Sequence, residues 1–192
     1  MNQQILATCE QTVKLLEGFC HEQSDQLIRL SRQIAAIFAE GGQLLLAGGG
    51  CLQTTAQVMA SQFVYRLSFD RPALPAVCLG SDAVLTSRMI GDGQVEQFLV
   101  RHYRAVNSDK HLLLILNDGS DSTALKLLCE EVLDNGQNVA LISCDCSKDP
   151  LLNKDIEICL DLESRSVPRQ LELAQFIGHL LCELVETELF GQ

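Results

Sequence analysis

Two loops in this chain combine glycines with polar side chains in a pattern that could hold an anion. Gly48-Gly49-Gly50-Cys51-Leu52 follows a short apolar run and leads into a helical stretch from Gln53, and Asn117-Asp118-Gly119-Ser120-Asp121-Ser122 repeats the arrangement. A glycine turn between strand and helix points free backbone N–H groups and the positive helix end at one place, which is the chemistry of phosphate binding. A tight turn serving only the fold reads equally well. The spacing is neither the Gly-Lys-Ser/Thr phosphate loop nor the dinucleotide fingerprint. Asp118 and Asp121 are suited to start the helix that follows, since a carboxylate accepts its unpaired N–H groups. At about 5 Å and an effective dielectric of about 20, each would also repel a bound unit charge by roughly 3 kcal/mol. A third loop begins at Ser81-Asp82.

Other reactive groups are more isolated. His179 lies in Ile177-Gly178-His179-Leu180-Leu181 and reads as a hydrogen-bonded histidine on a packed helix. His21, His102 and His111 fall at element ends without ligand spacing to one another. Cys144-Asp145-Cys146 could bring two thiols to a soft metal or to each other. No second cysteine pair with zinc spacing accompanies it, and we read it as a loop with two incidental thiols.

These loops need strands and helices to position them. Apolar runs at Leu44–Ala47, Ala76–Leu79, Leu112–Leu116, Val139–Ser143 and Ile156–Leu160 alternate with helical patterns at Gln53–Leu67, Val95–Ala105 and Ser122–Leu133. Continuously apolar strands alternating with helices imply a parallel sheet covered on both faces. The expectation is an α/β three-layer sandwich with a central five-stranded parallel sheet. Residues 1–40 form a helical N-terminal extension of two helices divided at Gly18 and Ser24-Asp25. Residues 43–192 form the core, closed by a long helix entered at Pro168. The 192 residues suit a single domain.

Composition narrows the function classes. Lys and Arg number 14 against 25 Asp and Glu, a net charge of −11, with no basic run to neutralise phosphates of nucleic acid or anionic lipid. Nine cysteines, odd in number and mostly among apolar neighbours, read as buried hydrophobes in a reducing compartment and not as a disulfide framework. The first residues carry no signal-peptide pattern and no apolar run spans a bilayer, so a cytoplasmic protein is expected.

The segments "LLAGGGCLQTTAQ", "RPALPAVCL", "LLLILNDGSDSTALK" and "IGHLLCELVE" make the chain resemble, essentially over its full length, the sugar isomerase (SIS) fold of bacterial phosphoheptose isomerases. In that family the first loop is typically Gly-Asn-Gly-Gly-Ser-Ala and the second Ser-Thr-Ser-Gly-Asn-Ser, and their hydroxyls and amides hold the substrate phosphate. Here Gly49 replaces the asparagine, Leu52 replaces the first loop's serine, Leu116-Asn117-Asp118 replaces the Ser-Thr-Ser run, and Asp121 replaces a later serine. The family's catalytic glutamate aligns with Gln62 and its catalytic histidine with His179. The metal-binding positions of some members fall on Val58 and Leu171. Gln62 cannot titrate, and Val58 and Leu171 offer no ligand atom, so no metal or other cofactor is expected.

The chain's last segment, "CELVETELFGQ", resembles the tail of one branch of the family, the DnaA initiator-associating proteins (DiaA). That branch keeps the fold and tetramer without catalysis. The resemblance implies a homotetrameric adaptor that binds a DnaA-type initiator through Leu189 and Phe190, without direct contact to nucleic acid or membrane. Glu183, Glu186 and Glu188 beside them oppose their own helix end, which also suggests a partner. Two alternatives stay open: a sedoheptulose 7-phosphate isomerase with an altered site using His179 and Asp118 or Asp121, and a regulator that binds an uncharged or cationic sugar derivative through the acidic second loop.

Overall fold

The structure is a computed structural model, which describes residues 1–153 and 155–191; Gln192, the last residue of the tail discussed above, lies outside them. Helix α1 (Asn2–Ala39) leads to β1 (Gln43–Gly48), α2 (Leu52–Val64), β2 (Ala76–Cys78), α3 (Ala83–Gly91) and α4 (Phe98–Val106). There follow β3 (His111–Asn117), α5 (Thr123–Asp134), β4 (Asn138–Ser143), β5 (Ile158–Asp161) and α6 (Val167–Phe190). All five strands pair in parallel in the order β2-β1-β3-β4-β5.

Alternation along the strands divides the core into two layers. Leu44, Leu46, Leu112, Leu114 and Ile142 face α1, α2 and α6. Leu45, Ala47, Leu113, Ile115 and Leu141 face α4 and α5. Every residue of β3 is buried, as the central strand of a sheet covered on both faces must be. The α/β sandwich expected from the strand and helix grammar is therefore the architecture observed.

Local details differ from expectation. The N-terminal segment is one helix of 38 residues, not two. Its buried positions Phe19, Gln23, Leu27, Leu30, Ile34 and Phe38 form one unbroken stripe at helical spacing, which holds Gly18 and Ser24-Asp25 in the helix despite their weak propensity. Gln23 has a second task. Its amide donates to the Asp161 carbonyl and accepts from the Asp161 N–H, both at 2.7 Å, so a side chain imitates a neighbouring strand on the edge of β5.

Helix α3 was unforeseen; Asp82 caps it by accepting from Val84 and Leu85 N–H. The Val95–Ala105 stretch is a 3₁₀ turn, Val95–Gln97, running into α4. Cysteine chemistry also departs from expectation: Cys146 and Cys159 form a disulfide with Cα atoms 6.1 Å apart, and the other seven are free. Sequence spacing could not reveal the pair, because parallel register brings β5 alongside the end of β4.

Candidate functional site

The strand order turns back between β1 and β3, and in open parallel sheets ligands bind beyond the carboxyl ends of the strands at that switch point. The two glycine loops both emerge there. The Gly49 N–H donates to the Leu116 carbonyl at 2.8 Å, which fixes the first loop against the end of β3. Gly48 has no alternative residue, since a Cβ would overlap the backbone at the start of α2. Gln53 joins this turn to the next strand: its Oε1 accepts from Gly48 N–H at 2.8 Å and its Nε2 donates to the Leu79 carbonyl at 2.7 Å.

The second loop folds onto the first through Asp118. A Cβ on Gly49 would lie 3.3 Å from Asp118 Oδ1 and 3.3 Å from Asn117 Oδ1, and one on Gly50, where φ is +51°, would collide with Asp118 Oδ2. The Asp118 carboxylate thus rests against the first glycine turn at the N-terminal end of α2, whose first helical turn carries no acidic residue of its own. Asp118 also accepts from Ser120 N–H at 3.0 Å.

The expected helix-starting role passes to another residue. Ser122 caps α5 by accepting from Leu125 N–H, while exposed Asp121 pairs with Lys126. Gly119, at φ +85°, makes the turn between them, close beneath the Cys144 sulfur. In the first loop Cys51 is exposed, whereas Leu52 is buried in the core and offers nothing to a ligand.

Asn117 and Asp149 form a polar knot under the second loop that the sequence reading missed. Asp149 accepts from Asn117 Nδ2 at 3.1 and 3.0 Å, from Ser143 Oγ at 2.5 Å and from Leu151 N–H at 2.8 Å. The only hint in the chain was Asp149-Pro150, a turn-initiating pair. Asn117 Oδ1 is buried and has no hydrogen-bond partner among the described residues.

Gln62 and His179, which the resemblance aligns with acid–base positions, lie on the layer formed by α2 and α6. Gly178 lets these helices approach closely, for a Cβ there would come within 2.7 Å of Met59 Cγ. Next to it, partly buried His179 accepts at Nε2 from the Gln175 amide at 2.9 Å. Gln62 has a buried Oε1 without a partner among the described residues. Val58 is exposed and Leu171 packs against the core. No three His, Cys, Asp or Glu side chains among the described residues could hold a metal ion together. Val58 and Leu171 carry no ligand atom, so the metal that the resemblance implies for some members does not fit the residues aligned with its site. Two of the remaining histidines are structural: His102 Nδ1 accepts from Gly80 N–H, and His111 binds Tyr103 and the Ser108 carbonyl, while His21 is exposed on α1.

At the end of α6 stand Leu189 and Phe190, the residues through which the resemblance implies binding of a partner. Leu189 is partly buried against the main core, and Phe190 alone is half-exposed, its ring edge-on to Phe69 at 6.0 Å between centroids. Glu186 is not part of a surface acidic cluster. It is buried and accepts from Arg71 Nε at 2.6 Å, leaving Glu183 and Glu188 exposed.

Fold and switch-point loops together define a single-sheet phosphosugar-isomerase architecture, and comparison with known proteins agrees. A phosphoheptose isomerase of Thermodesulfovibrio yellowstonii is 28% identical over 182 residues, covering 94% of this chain and 89% of its own. One from Aneurinibacillus thermoaerophilus is 27% identical over 197 residues, covering 99% of this chain and 96% of its own. The structure of a phosphoheptose isomerase from Francisella tularensis superposes with a TM-score of 0.86 at 21% identity, covering 96% of this chain and 97% of that one. No protein-family model matches the chain. Relatives and fold together support the resemblance to the SIS-domain phosphoheptose isomerases. No helix among the described residues is long and apolar enough to cross a membrane.

Proposed function

We propose that this chain is a non-enzymatic adaptor on a phosphosugar-isomerase fold, which binds a DnaA-type initiator as a homotetramer and promotes its assembly at the chromosomal origin. The observation that carries the non-catalytic half is Gln62: aldose–ketose isomerisation needs a group that takes and returns a proton, and a carboxamide at the family's glutamate position does neither. Asp118, resting on the glycine turn, supports it by placing a negative charge where a substrate phosphate would sit. For the partner half, the support is the tail resemblance, the half-exposed Phe190 and the net charge of −11, which suits a basic DNA-binding partner. Linked copies of one weak docking surface raise effective concentration without new contacts.

Nothing in the relatives' names points to DnaA. They favour a second reading, a phosphosugar isomerase with an altered site in which His179 is the retained catalytic group. Two measurements separate the readings. Under the adaptor reading, immobilised protein retains DnaA, Phe190→Ala abolishes retention without altering the fold, and sedoheptulose 7-phosphate is not turned over. Robust turnover that is lost in His179→Ala establishes the isomerase instead.

A further inference from the structure

The one disulfide stands in a chain whose other seven cysteines are free thiols. It ties the 3₁₀ turn Cys146–Lys148, just beyond β4, to the edge strand β5, across a sequence separation of 13. That turn forms one wall of a cavity of about 270 Å³ between the second glycine loop and the start of α6. Asp145, Lys148 and Asp149 line it from the turn, Asp118 and Gly119 from the loop, and Arg165 from the approach to α6. The turn is held at two ends by different means. At the far end Asp149 is fixed to β3 and β4 through Asn117 and Ser143. At the near end Cys144 N–H donates to the Asn117 carbonyl and Asp145 N–H to Ser143 Oγ, both at 3.3 Å, and beyond them the turn itself is held by the Cys146–Cys159 bond and a hydrogen bond from Cys146 N–H to Asp161 Oδ2 at 2.9 Å.

We propose that Cys146–Cys159 is a reversible thiol–disulfide exchange site that sets the wall of this cavity, with a dithiol reductant as its chemical partner. Both cysteines are partly exposed, but Cys159 packs against the core on the α4–α5 side of the sheet, whereas Cys146 stands on a surface turn and is the sulfur that an external thiolate can approach. Attack on one sulfur forms a mixed disulfide and releases the other as a thiolate, which takes up a proton. The reductant's second thiol then closes its own disulfide and frees the remaining cysteine. Two electrons and two protons pass from the dithiol to Cys146 and Cys159. Cys144 does not compete, because it is buried and desolvation holds its thiol above the usual range. Reduction removes the covalent hold on residues 146–148, while the bonds of Cys144 and Asp145 to Asn117 and Ser143 and the Asp149 anchor persist. The cavity therefore changes shape without unfolding of the sheet. This site stands apart from the adaptor reading and does not depend on it.

The test uses the full chain, oxidised with glutathione disulfide and then reduced with dithiothreitol. Peptide mapping of the oxidised protein is expected to yield a Cys146–Cys159 linked peptide, with Cys9, Cys20 and Cys51 either alkylated or capped by glutathione and in no intrachain disulfide. Reduction is expected to raise amide hydrogen exchange several-fold over residues 146–148 and to leave β3 and α1 unchanged. Cys146→Ser and Cys159→Ser, either of which suffices if the other misfolds, should show the reduced pattern even under oxidising conditions and ignore dithiothreitol. Absence of the linked peptide after oxidation, or exchange over 146–148 that does not respond to reduction, overturns the proposal.

Discussion

Asp118 and Asp121 share a loop and a charge but have different surroundings. Asp121 is exposed and paired with Lys126, whereas Asp118 lies against Gly49 and Gly50 at the start of α2. The repulsion of roughly 3 kcal/mol per unit charge thus belongs chiefly to Asp118. Asp118→Ser is expected to improve binding of inorganic phosphate or sedoheptulose 7-phosphate by at least about tenfold by calorimetry, while Asp121→Ser changes it little. Equal effects from both would show that the carboxylate on the glycine turn is not what excludes the anion. His111 offers a pH-dependent counterpart. Burial lowers its pKa from the usual 6.5, against the opposing effect of the Ser108 carbonyl. The unfolded chain therefore binds the proton first as pH falls below 6.5. Stability from the neutral ring is complete above that value and is lost as pH falls toward and through the lowered folded pKa. Urea midpoints from about pH 7.5 to about pH 5.5 should fall in the wild type, and less steeply in His111→Asn.

Elements are joined by polar side chains at places where backbone pairing ends. Arg71 donates to Glu186, to the Phe63 and Gln62 carbonyls at the end of α2 and to the Pro72 carbonyl, so one guanidinium closes α2, the segment toward β2 and α6 together. Both partners are almost fully buried, with side-chain exposures of 1% and 2%. Arg71→Ala would strand the Glu186 carboxylate without its counter-charge and should cost about 3–5 kcal/mol in chemical denaturation. Arg71→Met with Glu186→Leu should cost much less, because no charge is left behind. A similar loss in the double variant would mean that the carbonyl contacts, not the ion pair, hold this corner. Gln23 on β5 and Gln53 between β1 and β2 follow the same logic. Neither was legible in the chain, because their partners are backbone groups that carry no side-chain signature.

For the whole molecule, the net charge of −11 and the half-exposed Phe190 lead to one expectation about association. If a basic protein docks at the tip of α6, its retention should weaken as salt rises through the range where the Debye length falls from about 10 to about 3 Å. Retention unaffected by salt would put the contact on apolar surface alone. The sequence by itself determined the layered α/β architecture, the switch-point loops and the last helix, because hydrophobic periodicity and glycine placement are local properties of the chain. Tertiary structure decided which acidic residues matter. Glu186 proved to be a buried partner of Arg71, Asp118 a cover on a glycine turn, and Asp149 the centre of a knot. It also joined Cys146, read as an incidental thiol, to Cys159, read as a buried hydrophobe, in one bond. Burial and charge pairing depend on neighbours distant along the chain, and only strand register and helix packing bring those neighbours together.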